Sequence, residues 1–292
     1  MTLPSYEPSS LAFVSTGTGE PVLLIHGLYG TGRTLDILRN HLDSSFRVIA
    51  PDMRGHGDSP YPGGPIDAEA MARDLVALLD RLDVPTTHVV GYSHGGAIAL
   101  SLARVVPHRV RSLVLISTYG YQPLTPRERV LGWILPTVVR TVRTPLFALS
   151  VRVTRFSVRG PRLSPDRARK YAREAARNRT GIMARALAAA RGFDSRPWLA
   201  RLTMPTLVIH GTTDLMVSYQ QSDLLLEGIP DARRMDIPDA GHLVPFTHEP
   251  EVVQAIHDWL DEQEAAARPL VEHRRHDQPV SSPVAADTPA AR

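Results

Sequence analysis

The 292-residue chain contains no cysteine, so it forms no disulfide bond and uses no thiol chemistry. Residues 1–5 lack the basic region and apolar core of a signal peptide, and we therefore expect a cytoplasmic protein. The longest apolar stretch, residues 130–139, contains a glycine and a proline and is shorter than the roughly 20 residues that a membrane span needs. The length suffices for one large α/β core with an insertion.

Lysine is nearly absent as well, because Lys170 is the sole lysine among 33 basic residues. Basic residues concentrate between residues 127 and 201, where eighteen stand against four acidic residues. Four arginines recur there at helical steps and predict a basic helix face: Arg152, Arg155, Arg159 and Arg162. The simplest interpretation is a solvated face; the alternative is contact with an anionic membrane surface or an anionic acyl substrate. Since no recognition motif accompanies the arginines, we expect no nucleic-acid partner.

Apolar strand-like runs alternate with helical patterns along most of the chain. Examples are the apolar run at residues 21–25 and the amphipathic pattern at residues 68–79. The alternation predicts an α/β fold with a mostly parallel central sheet and helices on both faces. In such a sheet, functional residues follow the carboxyl ends of the strands. Residues 266–292, with four prolines among small and charged residues, are predicted to form a disordered C-terminal tail.

A serine stands between a strand-like run and a helix-like run, in the pentapeptide Gly91-Tyr92-Ser93-His94-Gly95. This pattern is typical of a nucleophile elbow, a tight turn that exposes the serine hydroxyl for attack. Glycines two residues before and after Ser93 avoid a clash across the turn. Because a short Gly-x-Ser-x-Gly pattern also occurs by chance in glycine-rich loops, its meaning depends on partners elsewhere in the chain.

A serine nucleophile needs a base to take its proton and an acid to orient the base. We predict Asp214, after the apolar run 205–209, as the acid; a simple turn aspartate is the alternative. The preceding strand-like run, 112–116, is followed by no carboxylate that could replace it. As the base we predict His242, after the last strand-like run, over His248, which adjoins a predicted helix start. None of the 12 histidines shows metal-ligand spacing, and we expect no metal and no other cofactor.

Acyl transfer also needs two backbone N–H groups directed at the oxyanion of the tetrahedral intermediate. One is predicted at His94, directly after the nucleophile, and the other at Leu28, in the glycine-containing loop after residues 21–25. In that loop Gly27 allows a close approach of the backbone, and the His26 side chain is expected to support the loop without transferring protons. A glycine-rich turn that merely enters a helix is the alternative for the loop.

In order and spacing these motifs resemble those of the α/β-hydrolase fold, and in particular a serine-nucleophile, esterase-like or lipase-like member with a helical cap. The resemblance spans about residues 11–265. It includes residues 51–59, which are similar to an Asp-x-Arg-Gly-x-Gly-x-Ser stretch of many members and which we interpret as a structural loop. The resemblance implies a hydrolase core at residues 1–121 and 202–265, with a helical cap inserted at residues 122–201.

Together, the resemblance and the order Ser, Asp, His imply a serine hydrolase that cleaves an apolar or lipid-like carboxylic ester, or a lactone, through an acyl-enzyme. We expect Tyr29, Trp133 and Val217 to line the pocket for this small molecule. The same triad also serves thioesterases, acyltransferases and carbon–carbon hydrolases, and a non-hydrolytic receptor or biosynthetic cyclase is a further alternative. A serine at the elbow disfavours the aspartate-dependent dehalogenases and epoxide hydrolases.

Overall fold

The computed structural model describes residues 8–121 and 163–276. The strands of these residues are β1 (Phe13–Thr16), β2 (Pro21–Ile25), β3 (Arg47–Pro51), β4 (Thr87–Tyr92), β5 (Val110–Ile116), β6 (Thr206–Gly211) and β7 (Ala232–Ile237). They form one sheet in the order β1-β3-β2-β4-β5-β6-β7. β1 pairs antiparallel with β3, and the other pairings are parallel, as the strand–helix alternation predicted.

Helices connect the strands. They are α1 (Asp36–Leu42), α2 (Ala68–Arg81), α3 (His94–Val105), α4 (Pro165–Ala176), α5 (Thr180–Ala190), α6 (Tyr219–Gly228), α7 (Val244–Thr247) and α8 (Glu249–His276). Short 3-10 helices lie at Gly32–Leu35, Pro107–Arg109 and Leu199–Arg201. Within the described ranges, no helix combines the length and apolar character that crossing a membrane requires.

The sheet is buried on both faces, which explains why its central strands are continuous apolar runs. Consecutive residues point to opposite sides, so Leu23 and Val89 pack with α2 and α3, whereas Leu24 and Val90 pack with α1 and α8. Helix α2 begins where the Asp67 side chain accepts the N–H of Ala70 at 2.8 Å. The two apolar layers fix the sheet and therefore the positions at which its strands end.

Helices α4 and α5 lie between β5 and β6, inside the segment predicted as a cap. The Ser164 side chain caps α4 by accepting the N–H of Arg167 at 3.3 Å, and Pro165 occupies the first turn. The predicted basic helix face, Arg152 to Arg162, and Trp133 lie outside the described residues.

The end of the chain differs from the sequence-based expectation. Helix α8 continues to His276, so residues 266–276 are helical where we predicted the start of a disordered tail. Residues 262–267 are glutamate, glutamine and alanine, which favour continuation of a helix. The remainder of the predicted tail, residues 277–292, lies outside the described residues.

Candidate active site

Ser93 lies in the turn between β4 and α3. Its backbone φ is 53°, in the left-handed region, as expected of the strained turn of a nucleophile elbow. A Cβ atom at Gly91 would lie 2.6 Å from the carbonyl oxygen of Gly95, which is the clash that the sequence predicted. A Cβ atom at Gly95 would instead lie 2.3 Å from the carbonyl oxygen of Ile25, so the second glycine lets the turn pack against β2.

Ser93, His242 and Asp214 form one hydrogen-bonded chain. The Ser93 Oγ atom lies 3.0 Å from His242 Nε2, and His242 Nδ1 lies 2.9 Å from Asp214 Oδ2. The three residues follow β4, β7 and β6, whose carboxyl ends meet at one edge of the parallel sheet. With its Nδ1–H donating to the carboxylate, His242 presents Nε2 to the serine proton, which is the arrangement that activates a serine nucleophile.

Asp214 is buried and held by its own loop. Its side chain is 0 % exposed, and Oδ1 accepts the N–H groups of Met216 at 2.8 Å and Val217 at 3.0 Å. Burial raises the pKa of Asp214, but His242 and the Val217 N–H together outweigh burial and leave this pKa below its ordinary value. The carboxylate is therefore ionised near neutral pH, as an acid that orients the histidine must be.

Tyr92, directly before the nucleophile, supports the loop of the histidine. Its hydroxyl donates to the carbonyl oxygen of His242 at 3.0 Å, and its ring centroid lies 5.6 Å from that of His242. Sequence reasoning missed this residue, although its place inside the pentapeptide was an available signal. The rejected alternative base, His248, has its Nδ1 atom 2.9 Å from the hydroxyl of Thr247, whereas His242 contacts Ser93.

The loop after β2 lies against Ser93, because a Cβ atom at Gly27 would be 3.3 Å from the Cβ of Ser93. The buried His26 accepts the N–H of Met53 on Nε2 at 3.0 Å, so its proton is on Nδ1, which donates to the Gly27 carbonyl oxygen at 2.8 Å. Burial, followed by the neighbouring His56, lowers the pKa of His26 to about 3. His26 is therefore a neutral support of the loop.

The two predicted oxyanion donors belong to well-defined backbone. Because the Gly27 carbonyl is held and the peptide is planar, the Leu28 N–H points away from that oxygen in a fixed direction. His94 is the first residue of α3, and an N–H of the first helical turn has no partner inside the helix. The His94 side chain is buried and accepts or donates a hydrogen bond at Nδ1 with the Tyr119 hydroxyl, 2.7 Å away.

The residues predicted to line the pocket have different surroundings. Tyr29 is buried against Ala175 and Met183, and this burial raises its pKa to about 12. Val217 is also buried, in the core cluster beside α2 and α3, and its N–H binds the acid Asp214. Trp133 lies outside the described residues, so its predicted contact with substrate stays a prediction.

Residues 51–59 brace the same loops, in keeping with their interpretation as structural. Asp52 accepts the N–H of Gly32 at 2.7 Å and that of Asp58 at 2.8 Å. Arg54 forms a buried ion pair with Asp74, at 2.5 Å between Nε and Oδ2. These contacts join the stretch to the loop after β2 and to helix α2.

The fold and this site define a protein with an α/β-hydrolase sheet and a Ser-His-Asp hydrogen-bond chain. The profile of a family described as alpha/beta hydrolase fold matches residues 20–249, and the chain belongs to this family. A solved thermophilic esterase from Thermogutta terrifontis is 32% identical, with a TM-score of 0.72 over 87% of this chain and 94% of the other.

Two curated relatives are similar to this chain over most of their length. A 2-hydroxymuconate semialdehyde hydrolase from Pseudomonas sp. (strain CF600) is 31% identical over 86% of this chain and 90% of the relative. A poly(3-hydroxyalkanoate) depolymerase from Ectopseudomonas oleovorans is 29% identical over 85% of this chain and 86% of the relative. The family profile, over residues 20–249, covers β2 to β7 and the loops that hold the candidate site.

Proposed function

We propose that the protein is a serine hydrolase that cleaves a carboxylic ester through an acyl-enzyme. The observation that carries the proposal is the continuous hydrogen-bond chain from Asp214 through His242 to Ser93. A buried carboxylate, a histidine and a serine at the elbow supply the acid, base and nucleophile that acyl transfer requires. Membership of the alpha/beta hydrolase family supports the same reaction class.

The proposed reaction uses the chain's own residues and water. His242 takes the Ser93 proton as Oγ attacks the carbonyl carbon, and the N–H groups of Leu28 and His94 stabilise the oxyanion. The tetrahedral intermediate collapses, and the departing alcohol takes the proton from His242. Water then attacks the acyl-enzyme with His242 again as base, which releases the carboxylic acid and restores Ser93.

An ester is the proposed bond because an esterase is among the similar solved structures at 32% identity. The names of the curated relatives differ, since one is a depolymerase and another a semialdehyde hydrolase, so they do not select the bond by themselves. We further propose that α4 and α5 belong to a helical cap at residues 122–201 over the core at residues 1–121 and 202–265. Apolar contacts of Tyr29 beneath these helices support an apolar small-molecule substrate.

The first test combines a fluorophosphonate probe with p-nitrophenyl esters from acetate to laurate, on the wild type and on Ser93→Ala. The wild type is expected to be labelled and to hydrolyse at least one ester. Ser93→Ala is expected to lose labelling and about a million-fold in kcat, the loss that follows removal of a triad serine. The preferred chain length reports the size of the pocket.

Ser101→Ala is the matched control, because it makes the same change at a buried position of α3 without touching the triad. Labelling without turnover of any ester would direct the search to thioesters, carbon–carbon bonds or a binding role. A wild type that is not labelled contradicts the assignment of Ser93 as an activated nucleophile.

A further inference from the structure

Helix α4 contacts two of the loops that carry the proposed chemistry, the histidine loop after β7 and the oxyanion loop at residues 26–32. Near its start, Arg167 donates to the carbonyl oxygen of Phe246, which lies a few residues beyond His242, at 2.8 Å. At its other end, Glu174 accepts the hydroxyl of Thr31, in the oxyanion loop, at 2.8 Å. The helix thus spans the candidate site from the histidine loop to the oxyanion loop.

A third connection is made by Asn178, in the turn between α4 and α5. Its side chain is buried, and its Nδ2 donates to the carbonyl oxygens of Tyr29 at 2.9 Å and Gly30 at 3.3 Å. Its Oδ1 accepts the N–H of Gly57 at 2.9 Å. Because one end faces carbonyl oxygens and the other an N–H, these contacts fix the orientation of the amide.

The bond to Tyr29 is the first of a series that ends at the Leu28 N–H. The Tyr29 carbonyl shares a peptide unit with the Gly30 N–H, which donates to the Gly27 carbonyl oxygen at 2.9 Å. That carbonyl shares a peptide unit with the Leu28 N–H. Two planar peptides therefore connect the Asn178 amide to the proposed oxyanion donor, and hydrogen bonds in such a chain polarise one another.

We infer that Asn178 is a positioning residue for the oxyanion hole, which orients and polarises the Leu28 N–H through these two peptide units. The inference rests on the proposed function, in which the Leu28 N–H binds the oxyanion. It gives a role in the proposed reaction to a residue of the segment between β5 and β6, which lies outside the motifs that the sequence analysis identified. A change at Asn178 acts on the transition state, where charge develops on the oxyanion, and has little effect on binding of the neutral ester.

Asn178→Asp is the sharpest variant, because it keeps the shape and an acceptor for Gly57 but replaces the donor with an oxygen that faces two carbonyls. We expect kcat to fall about 10- to 100-fold, because the Leu28 N–H is displaced but not removed. KM should stay within about twofold of the wild-type value. The inhibition constant of a boronic acid, whose tetrahedral adduct places an oxygen in the oxyanion hole, should rise by a similar factor. Lys170→Ala is the control, because this exposed residue of α4 pairs with Asp36 on α1, away from the loop; we expect it to match the wild type in both measurements.

A second measurement needs no turnover. In 15N–1H spectra of the full-length protein, Asn178→Asp should shift the amide resonances of Gly30 and Leu28, and Lys170→Ala should leave them in place. Unchanged Leu28 resonances, or a lowered melting temperature with kcat and boronic acid inhibition intact, overturn the inference. A wild type that lacks activity and labelling rejects the proposed function instead, while shifted resonances would still support the hydrogen-bonded connection.

Discussion

The acid side and the oxyanion side of the candidate site are held in different ways. On the acid side, Asp214 is fixed by N–H groups of Met216 and Val217, two and three residues further along the same loop. On the oxyanion side, the loop at residues 26–32 is fixed by side chains and backbone from distant segments, such as His26 bound to the N–H of Met53.

The two sides also differ in electrostatics. The acid side uses an ionised carboxylate whose pKa is lowered by His242 and by its hydrogen bonds in spite of burial. The oxyanion side uses neutral dipoles, since burial keeps the pKa of His26 near 3. Loss of the Asp214 charge should therefore lower activity more than loss of one dipole on the oxyanion side.

Of the changes that compare the two sides, neutralising the acid is expected to have the largest effect. In Asp214→Asn the amide favours the wrong His242 tautomer, and kcat should fall about 10⁴-fold, as the same change does in serine proteases. Steady-state kinetics with the best p-nitrophenyl ester measure the loss. Asp236→Asn is the control, because it makes the same change on β7, where the exposed Asp236 accepts the Tyr219 hydroxyl. A small loss in Asp214→Asn would show that the acid is elsewhere.

A smaller loss is expected on the oxyanion side from His26→Ala. This change removes one of the two hydrogen bonds that the Gly27 carbonyl accepts, leaves the bond from the Gly30 N–H, and deprives the Met53 N–H of its acceptor, so the Leu28 N–H is held less firmly. We expect kcat/KM to fall by about 10² to 10³, the effect of removing one oxyanion donor, with labelling by fluorophosphonate slowed but retained. His41→Ala, at a histidine whose side chain is half exposed, is the matched control. Unchanged kinetics in His26→Ala would place the second donor in another loop.

The same contrast explains what the sequence could predict. The elbow, Asp214 and His242 each follow a strand-like run, and their order alone implied a shared edge of the sheet. Asn178 could not be found in this way, because its partners lie 121 to 149 residues earlier and no motif surrounds it. The continuation of α8 beyond residue 265 was not predicted for a different reason. The prolines and charges of this segment suggested disorder, although it begins with a run of strong helix formers.

The buried histidines around the oxyanion side also predict an acid-sensitive fold. Burial lowers the pKa values of His26 and His94 to about 3 in the folded protein, against an ordinary value of 6.5. Between these values the unfolded chain binds more protons, so the free energy of unfolding falls as the pH drops below 6.5, with a slope that approaches about 1.4 kcal/mol per pH unit for each histidine.

Urea denaturation at pH 7.5, 6.5 and 5.5 would measure this slope. His94→Gln keeps a side chain that can hydrogen-bond Tyr119 but no longer titrates. It should reduce the loss of stability between pH 6.5 and 5.5 by about 1 kcal/mol. Equal slopes for the variant and the wild type would mean that His94 is not kept neutral by burial.

The smallest effect is expected where a distant contact reaches the acid side. Tyr92→Phe removes only the hydroxyl that donates to the His242 carbonyl and keeps the ring packed beside the imidazole. If local contacts of the Asp214 loop suffice to hold the histidine, kcat should fall only about 2- to 10-fold, the equivalent of one ordinary hydrogen bond. Steady-state kinetics of Tyr92→Phe and Asp214→Asn with the same ester measure the two losses in kcat. A loss approaching that of Asp214→Asn would mean that the acid side, like the oxyanion side, depends on contacts from distant parts of the chain.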